Sequence, residues 1–158
     1  MSYIDNVVNV VSDGNCGFRV IASLHGYGED RWPMVRRDLR LEIIHNERSS
    51  LYANLFTDQL SVVREPLMIE EFGPQPPHKW LTLPDMGYVI ANPIYCIGFV
   101  NRNYWVQVNM KEGFPFPLVT LDWNKFRSSA ATSWMLGFAG RLQHWQQLTH
   151  ILPTHYEL

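Results

Sequence analysis

At 158 residues the chain is long enough for one domain to bury most of its apolar surface without metal or disulfide staples. With 46% hydrophobic and 18% charged residues and a net charge of −2, it reads as a folded globule whose electrostatics call for neither nucleic acid nor an anionic membrane as a direct partner. Two cysteines make no disulfide framework, and no uncharged apolar run approaches the ~18 residues of a membrane span.

The opening "MSYIDNVVNVV" has no basic start and is interrupted by Asp5, so a strand is expected there rather than a signal peptide. With thiols kept reduced, the expected compartment is cytoplasmic or nuclear. "VVNVV" (7–11) is β-branched and ends at Asp13-Gly14, which predicts a short, largely buried strand. From Cys16 the pattern turns helical, with Phe18, Val20, Ile21 and Leu24 on one broad face and Gly26 and Gly28 as the stop.

A second helix should start near Asp30, with Pro33 in its first turn and Trp32, Val35, Leu39 and Ile43 as its core stripe. The basic cluster Arg36, Arg37 and Arg40 is interrupted by Asp38 and reads as a solvated helix face. Ser49 or Ser50 should cap a third helix carrying Leu51, Leu55 and Phe56. "GPQPPHK" (73–79) is loop, because Pro76 and Pro77 exclude regular helix or central strand.

"TLPDMGYVIAN" (82–92) predicts a short helix with Thr82 near its cap and Pro84 and Asp85 in the first turn. "IYCIGFV" (94–100) and "YWVQVNM" (104–110) flank "NRN" and predict a hairpin, with Asn92-Pro93 as the turn leading in. In its second arm Tyr104, Val106, Val108 and Met110 should point one way, and Trp105, Gln107 and Asn109 the other. "EGFPFPLVTL" is extended or loop. Trp134, Phe138, Leu142, Trp145 and Leu148 then form a helical stripe ended by Pro153. Strand, helices, hairpin and terminal helix give one mixed α/β or α+β domain over residues 1–158.

The stretch "SDGNCGFRV" (12–20) carries the chemistry. In general, a thiol in the first turn of a helix meets unpaired N–H groups and the positive end of the helix dipole, which favour a thiolate and can also bind an oxyanion. Gly14 and Gly17 would let the backbone pass close to a substrate, and Asp13 would orient the loop by accepting backbone hydrogen bonds. The plainer reading is a small buried cysteine in an ordinary turn.

"DGNCGFRV" resembles the nucleophile motif of the ovarian-tumour (OTU) family of papain-like cysteine peptidases, mostly deubiquitinases. Further blocks, "GEDRWPMVRRDL" (28–39), "WLTLPDMGYVIA" (80–91) and "NYWVQVNMKEGFPFPLV" (103–119), resemble the OTU-like domains of plant and fungal proteins related to Mutator-type transposases. The likeness runs from about residue 7 to 145. It implies a small sheet packed between helices, with Cys16 as nucleophile, Asp13 as the loop-organising aspartate and Gly14 and Asn15 in the oxyanion loop. It also implies a general-base histidine on a later strand, in a motif Asn-His-aromatic-x-x-Val.

In this chain that motif reads "NYWVQV": Asn103, Trp105 and Val108 align, and Tyr104 stands at the histidine position. A phenol ordinarily ionises only near pH ~10 and is no base for a thiol at neutral pH. The third polar position offers only Arg102 or Val106. His25 lies nine residues beyond Cys16 on the same predicted helix, roughly 13 Å away. His45, His78, His144, His150 and His155 match no metal-ligand spacing, so no metal or other cofactor is expected. "IANPIYCIGFV" also passes almost directly from helix to hairpin where relatives carry extra strands, which implies a shortened sheet with an open edge.

The leading expectation is therefore an OTU-like protein that binds ubiquitin or another protein without cleaving it. The alternative is an active isopeptidase using Cys16 and a relocated histidine. A weaker third is a transposon-derived part held at chromatin by partners. Oligomeric state is open.

Overall fold

The computed structural model describes residues 3–83, 85–90, 96–119, 121–127 and 129–151. Their contacts divide the chain into two compact units, Ser2–Asn109 and Met110–Leu158. Helices and a small sheet together make it an α+β protein.

The first unit opens with β1 (Ile4–Val8), which lies at the edge of a three-stranded sheet of order β1-β3-β2. The expected strand at 7–11 is displaced, and it is not buried: β1 is exposed along its whole length. The backbone of Val10 and Val11 is taken by side chains instead of a ladder. The Tyr104 hydroxyl bonds to Val10, and Val11 N–H donates to Glu29 Oε2 at 3.2 Å.

α1 (Cys16–Leu24) buries Phe18, Val20 and Ile21. It ends in a Schellman motif, in which Gly26 N–H donates to Ser23 C=O at 2.9 Å and Tyr27 N–H to Ala22 C=O at 3.0 Å. Gly26 takes the left-handed φ of 77° that this closure needs. α2 (Trp32–Ile44) follows a 3₁₀ turn and has Pro33 in its first turn; Trp32, Val35, Leu39 and Ile43 are buried on one stripe.

α3 (Ser49–Phe56) differs in detail from expectation. Its cap position is Arg48, without a side-chain bond, and the Ser49 hydroxyl donates to Asn46 C=O at 3.2 Å. Tyr52 and Phe56 carry the buried stripe, stacked at 6.1 Å, while Leu51 and Leu55 are half-buried. α4 (Leu60–Arg64) adds Val63, and α5 (Asp85–Ile90) adds Met86 and Val89 to the same core. Pro84, the Asn92-Pro93 turn and the first residues of the expected 94–100 strand lie outside the described residues.

β2 (Ile97–Val100) and β3 (Tyr104–Met110) form the antiparallel hairpin, with Phe99 opposite Trp105 and Val100 opposite Tyr104. Asn101 (φ 52°) and Arg102 (φ 60°) both adopt the left-handed conformation of a primed turn. Trp105 and Gln107 face α1: Ser23 Oγ on α1 donates to Gln107 Oε1 at 2.9 Å. Alternation directs Tyr104 and Val106 to the other face.

In the second unit, 111–119 is irregular and is followed by α6 (Leu121–Phe126), α7 (Ser129–Leu136) and α8 (Ala139–Ile151). The expected continuous stripe is broken after α7, where Phe138 N–H closes a turn on Met135 C=O at 2.9 Å. Phe138 leaves the helix to stack on Phe116 at 5.8 Å. Arg141 lies over the Phe114 ring at 3.8 Å and donates through Nε to Phe114 C=O at 2.8 Å, fastening the 114–116 segment to α8. The Trp134 side chain and Pro153 lie outside the described residues. Among those residues no helix is long and apolar enough to cross a membrane.

Candidate active site

The Asp13–Cys16 loop is built from its own side chains first. Asp13 Oδ1 accepts the Asn15 N–H at 2.9 Å, the loop-organising contact expected of it. Its other oxygen pairs with Arg19 one turn into α1, at 2.7 Å. Burial alone would raise the Asp13 carboxyl, but the hydrogen bonds from Arg19 and Asn15 outweigh it and hold the group below its ordinary value. Asn15 is completely buried. Its side chain donates to Gly73 C=O at 3.0 Å and accepts from Arg36 at 2.8 Å. Its amide and its backbone N–H are thus spent on holding the loop. The donors left ahead of the first helical bond, Arg19 N–H to Asn15 C=O, are those of Cys16, Gly17 and Phe18.

Arg36 corrects the reading of the basic cluster. Arg37 and Arg40 are exposed, but Arg36 is only 1% exposed. Besides Asn15, it donates to Lys79 C=O at 2.9 Å and to Pro66 C=O, and its guanidinium lies 3.8 Å above the Phe18 ring. Burial pushes the guanidinium down to about 10, partly offset by the Asp13 carboxylate, so it stays charged at neutral pH. Sequence reasoning missed this residue. The available signal was its position four residues after Trp32 and three before Leu39, on the buried stripe.

The two glycines of the loop make room for the protein's own chain. Gly14 has a φ of 79°, and a Cβ there would sit 2.1 Å from Gln75 O and 2.7 Å from Trp80 Nε1. A Cβ on Gly17 would meet Leu81 at 2.5 Å. The space expected to admit substrate is filled by residues 75–81.

Cys16 is 4% exposed, and its Sγ accepts a hydrogen bond from the backbone N–H of Trp105 at 3.4 Å. The Trp105 indole N–H donates to Leu81 C=O at 3.1 Å. Tyr104, at the expected histidine position, turns its hydroxyl to Val10. It accepts the Val10 N–H at 3.0 Å and donates to the Val10 C=O. The structure therefore brings Asp13, Gly14, Asn15 and Cys16 together on one loop. It places Tyr104 as a tether on the adjoining chain.

His25 stands at the far end of α1, stacked on Tyr27 at 5.3 Å; His45 closes α2, His78 lies in the Pro77–Lys79 turn and His144 is on α8. The His150 side chain and all of His155 lie outside the described residues. Among the described residues no group of three or more His, Cys, Asp or Glu could hold a metal ion. No family model matches the chain, and no curated protein or solved structure matches it either.

Proposed function

We propose that the chain is an OTU-like domain with an inherited but silent nucleophile position, acting by binding another protein, with ubiquitin the first to test. The observation that carries this reading is the Tyr104 hydroxyl. Its proton goes to Val10 C=O and its oxygen takes the Val10 N–H, so the residue at the base position is occupied as a structural pin. The hydrogen bond at Cys16 Sγ comes from a backbone amide, a donor that takes no proton from a thiol. Loss of the base typically removes several orders of magnitude in rate.

The intact Asp13-Gly14-Asn15-Cys16 loop favours a second reading, an active cysteine isopeptidase. The two are separated by incubating the wild-type chain, Cys16→Ala and Tyr104→His with a panel of ubiquitin chains and with ubiquitin bearing an electrophilic C-terminus. Calorimetric titration with ubiquitin then measures binding. The expected result is no chain cleavage by any of the three. Cleavage by the wild type that disappears in Cys16→Ala would overturn the proposal.

A further inference from the structure

We infer that residues 71–81 form a strap that seals the Cys16 thiol, so that the thiol reacts only when this segment lifts. The strap runs against the loop on both sides of the cysteine. Ahead of Cys16, Gln75 N–H donates to Asp13 C=O at 2.7 Å, Gly73 C=O accepts from Asn15, and Gln75 O lies where a Cβ of Gly14 would be. After it, Leu81 fills the space beside Gly17. Trp105 joins the two parts of the cover, with its backbone on the sulfur and its indole on Leu81.

The strap is held differently from the core beneath it. From Glu71 to Trp80 no side chain is buried, and Phe72 is 79% exposed; Leu81 is the first buried anchor. Beyond the edge of Phe72 against the Trp32 ring at 6.2 Å and the Lys79–Glu65 ion pair at 2.6 Å, hydrogen bonds hold the rest. Pro74, Pro76 and Pro77 have no N–H, so Gln75 supplies the sole backbone N–H of that run, and it goes to the loop. Its side-chain amide donates within the strap, to Glu71 C=O at 3.0 Å and Gly73 C=O at 3.1 Å. Trp80 Nε1 then donates to Gln75 C=O at 2.9 Å. Arg36 holds the base of the strap through Lys79 C=O at 2.9 Å. A segment fastened by hydrogen bonds and poor in buried apolar contacts opens locally before its domain unfolds. The inference stands apart from the family reading, because a strap over a thiol is closed to any reagent, whatever the natural partner.

The test is alkylation of the native chain by iodoacetamide, with Cys16 and Cys96 resolved by peptide mass spectrometry. Cys16 should react about 100-fold more slowly than a free thiol. Gln75→Pro, which deletes the amide donor, should accelerate it about tenfold, the value of one hydrogen bond. Gln75→Ala keeps that donor and loses only the side-chain bonds to Glu71 and Gly73, which join the strap to itself and not to the loop. It should therefore change the rate less than about threefold. A wild-type rate equal to that of a free thiol, or no acceleration in Gln75→Pro, overturns the inference. Should Gln75→Pro fail to fold, the urea dependence of the wild-type rate decides. A slope well below that of global unfolding supports separate opening of the strap, and a slope equal to it overturns the idea.

Discussion

The backbone N–H of Trp105 donates to Cys16 Sγ across 89 positions of chain, at 3.4 Å. This contact places the start of β3 directly beside the first turn of α1. Yet the neighbouring side chain, Tyr104, departs from the opposite face of the strand and bonds to Val10. Loop and strand meet at the sulfur, and the Tyr104 side chain is spent on the backbone of Val10.

Tyr104→Phe is therefore expected to cost about 1 kcal/mol of stability by leaving the Val10 amide and carbonyl without a partner, and to change no activity. Tyr104→His should lose a comparable amount, because an imidazole is shorter than a phenol and leaves the same face of β3. Urea denaturation measures both losses. Ubiquitin-chain cleavage restored by Tyr104→His alone would show that the ring can reach Cys16 and would contradict the assigned face.

Arg36 is the structural hub of the loop, so Arg36→Met should destabilise the chain by about 3 kcal/mol. It strands Asn15 Oδ1 and the Lys79 and Pro66 carbonyls in a dry site. Arg36→Lys keeps the charge but not the planar fork that serves all three acceptors, and should recover less than half of the loss. A urea midpoint within 0.5 kcal/mol equivalent of wild type, the ordinary range of a surface substitution, would contradict the role given to Arg36.

These residues show where the sequence was legible and where it was not. α1 and α2 could be read because their signals are local: Gly26 as a stop, Pro33 in a first turn, and apolar residues at three- and four-residue steps. The Asp13 contact to Asn15 was legible for the same reason, since it spans two residues. β1 was misplaced because the backbone of Val10 is claimed by a side chain 94 positions away. Arg36 was misread because its charge outweighed its place on the stripe. Buried arginines are rare, and the carbonyls that satisfy this one come from Pro66 and Lys79, with no local signature. The glycines of the loop announced a close approach, but not that the approaching chain is the protein's own.

Asp13 gives the loop a pH dependence. Its carboxyl is lowered from an ordinary 3.8, so its contribution to stability is complete above that value and is lost as pH falls through the lower folded value. Asp13→Asn removes the carboxylate closest to the 8%-exposed Arg19, leaving it the exposed Asp30 at 3.2 Å and the Glu29 carbonyl at 3.4 Å. The substitution should cost about 2 kcal/mol at pH 7, and the gap from wild type should narrow below about pH 4. Urea midpoints measured from pH 7 to pH 3 follow it, and a gap that widens toward acid would reverse the assigned sign.

Two glycines with nearly the same φ separate conformational strain from steric closure. Gly14 has φ 79° and Gly26 has φ 77°, so an alanine at either meets the same left-handed penalty of about 1 kcal/mol. Around Gly26 nothing lies within 4 Å of a new Cβ, so Gly26→Ala should lose that amount alone. At Gly14 the Cβ would fall 2.1 Å from a backbone oxygen of the strap, which cannot rotate away as a side-chain tip would. Gly14→Ala should therefore lose about 3 kcal/mol or more, or else displace residues 75–80 and raise Cys16 alkylation as Gln75→Pro does. Equal losses at the two positions, with Cys16 still protected, would mean that the strap does not rest on the Asp13–Cys16 loop.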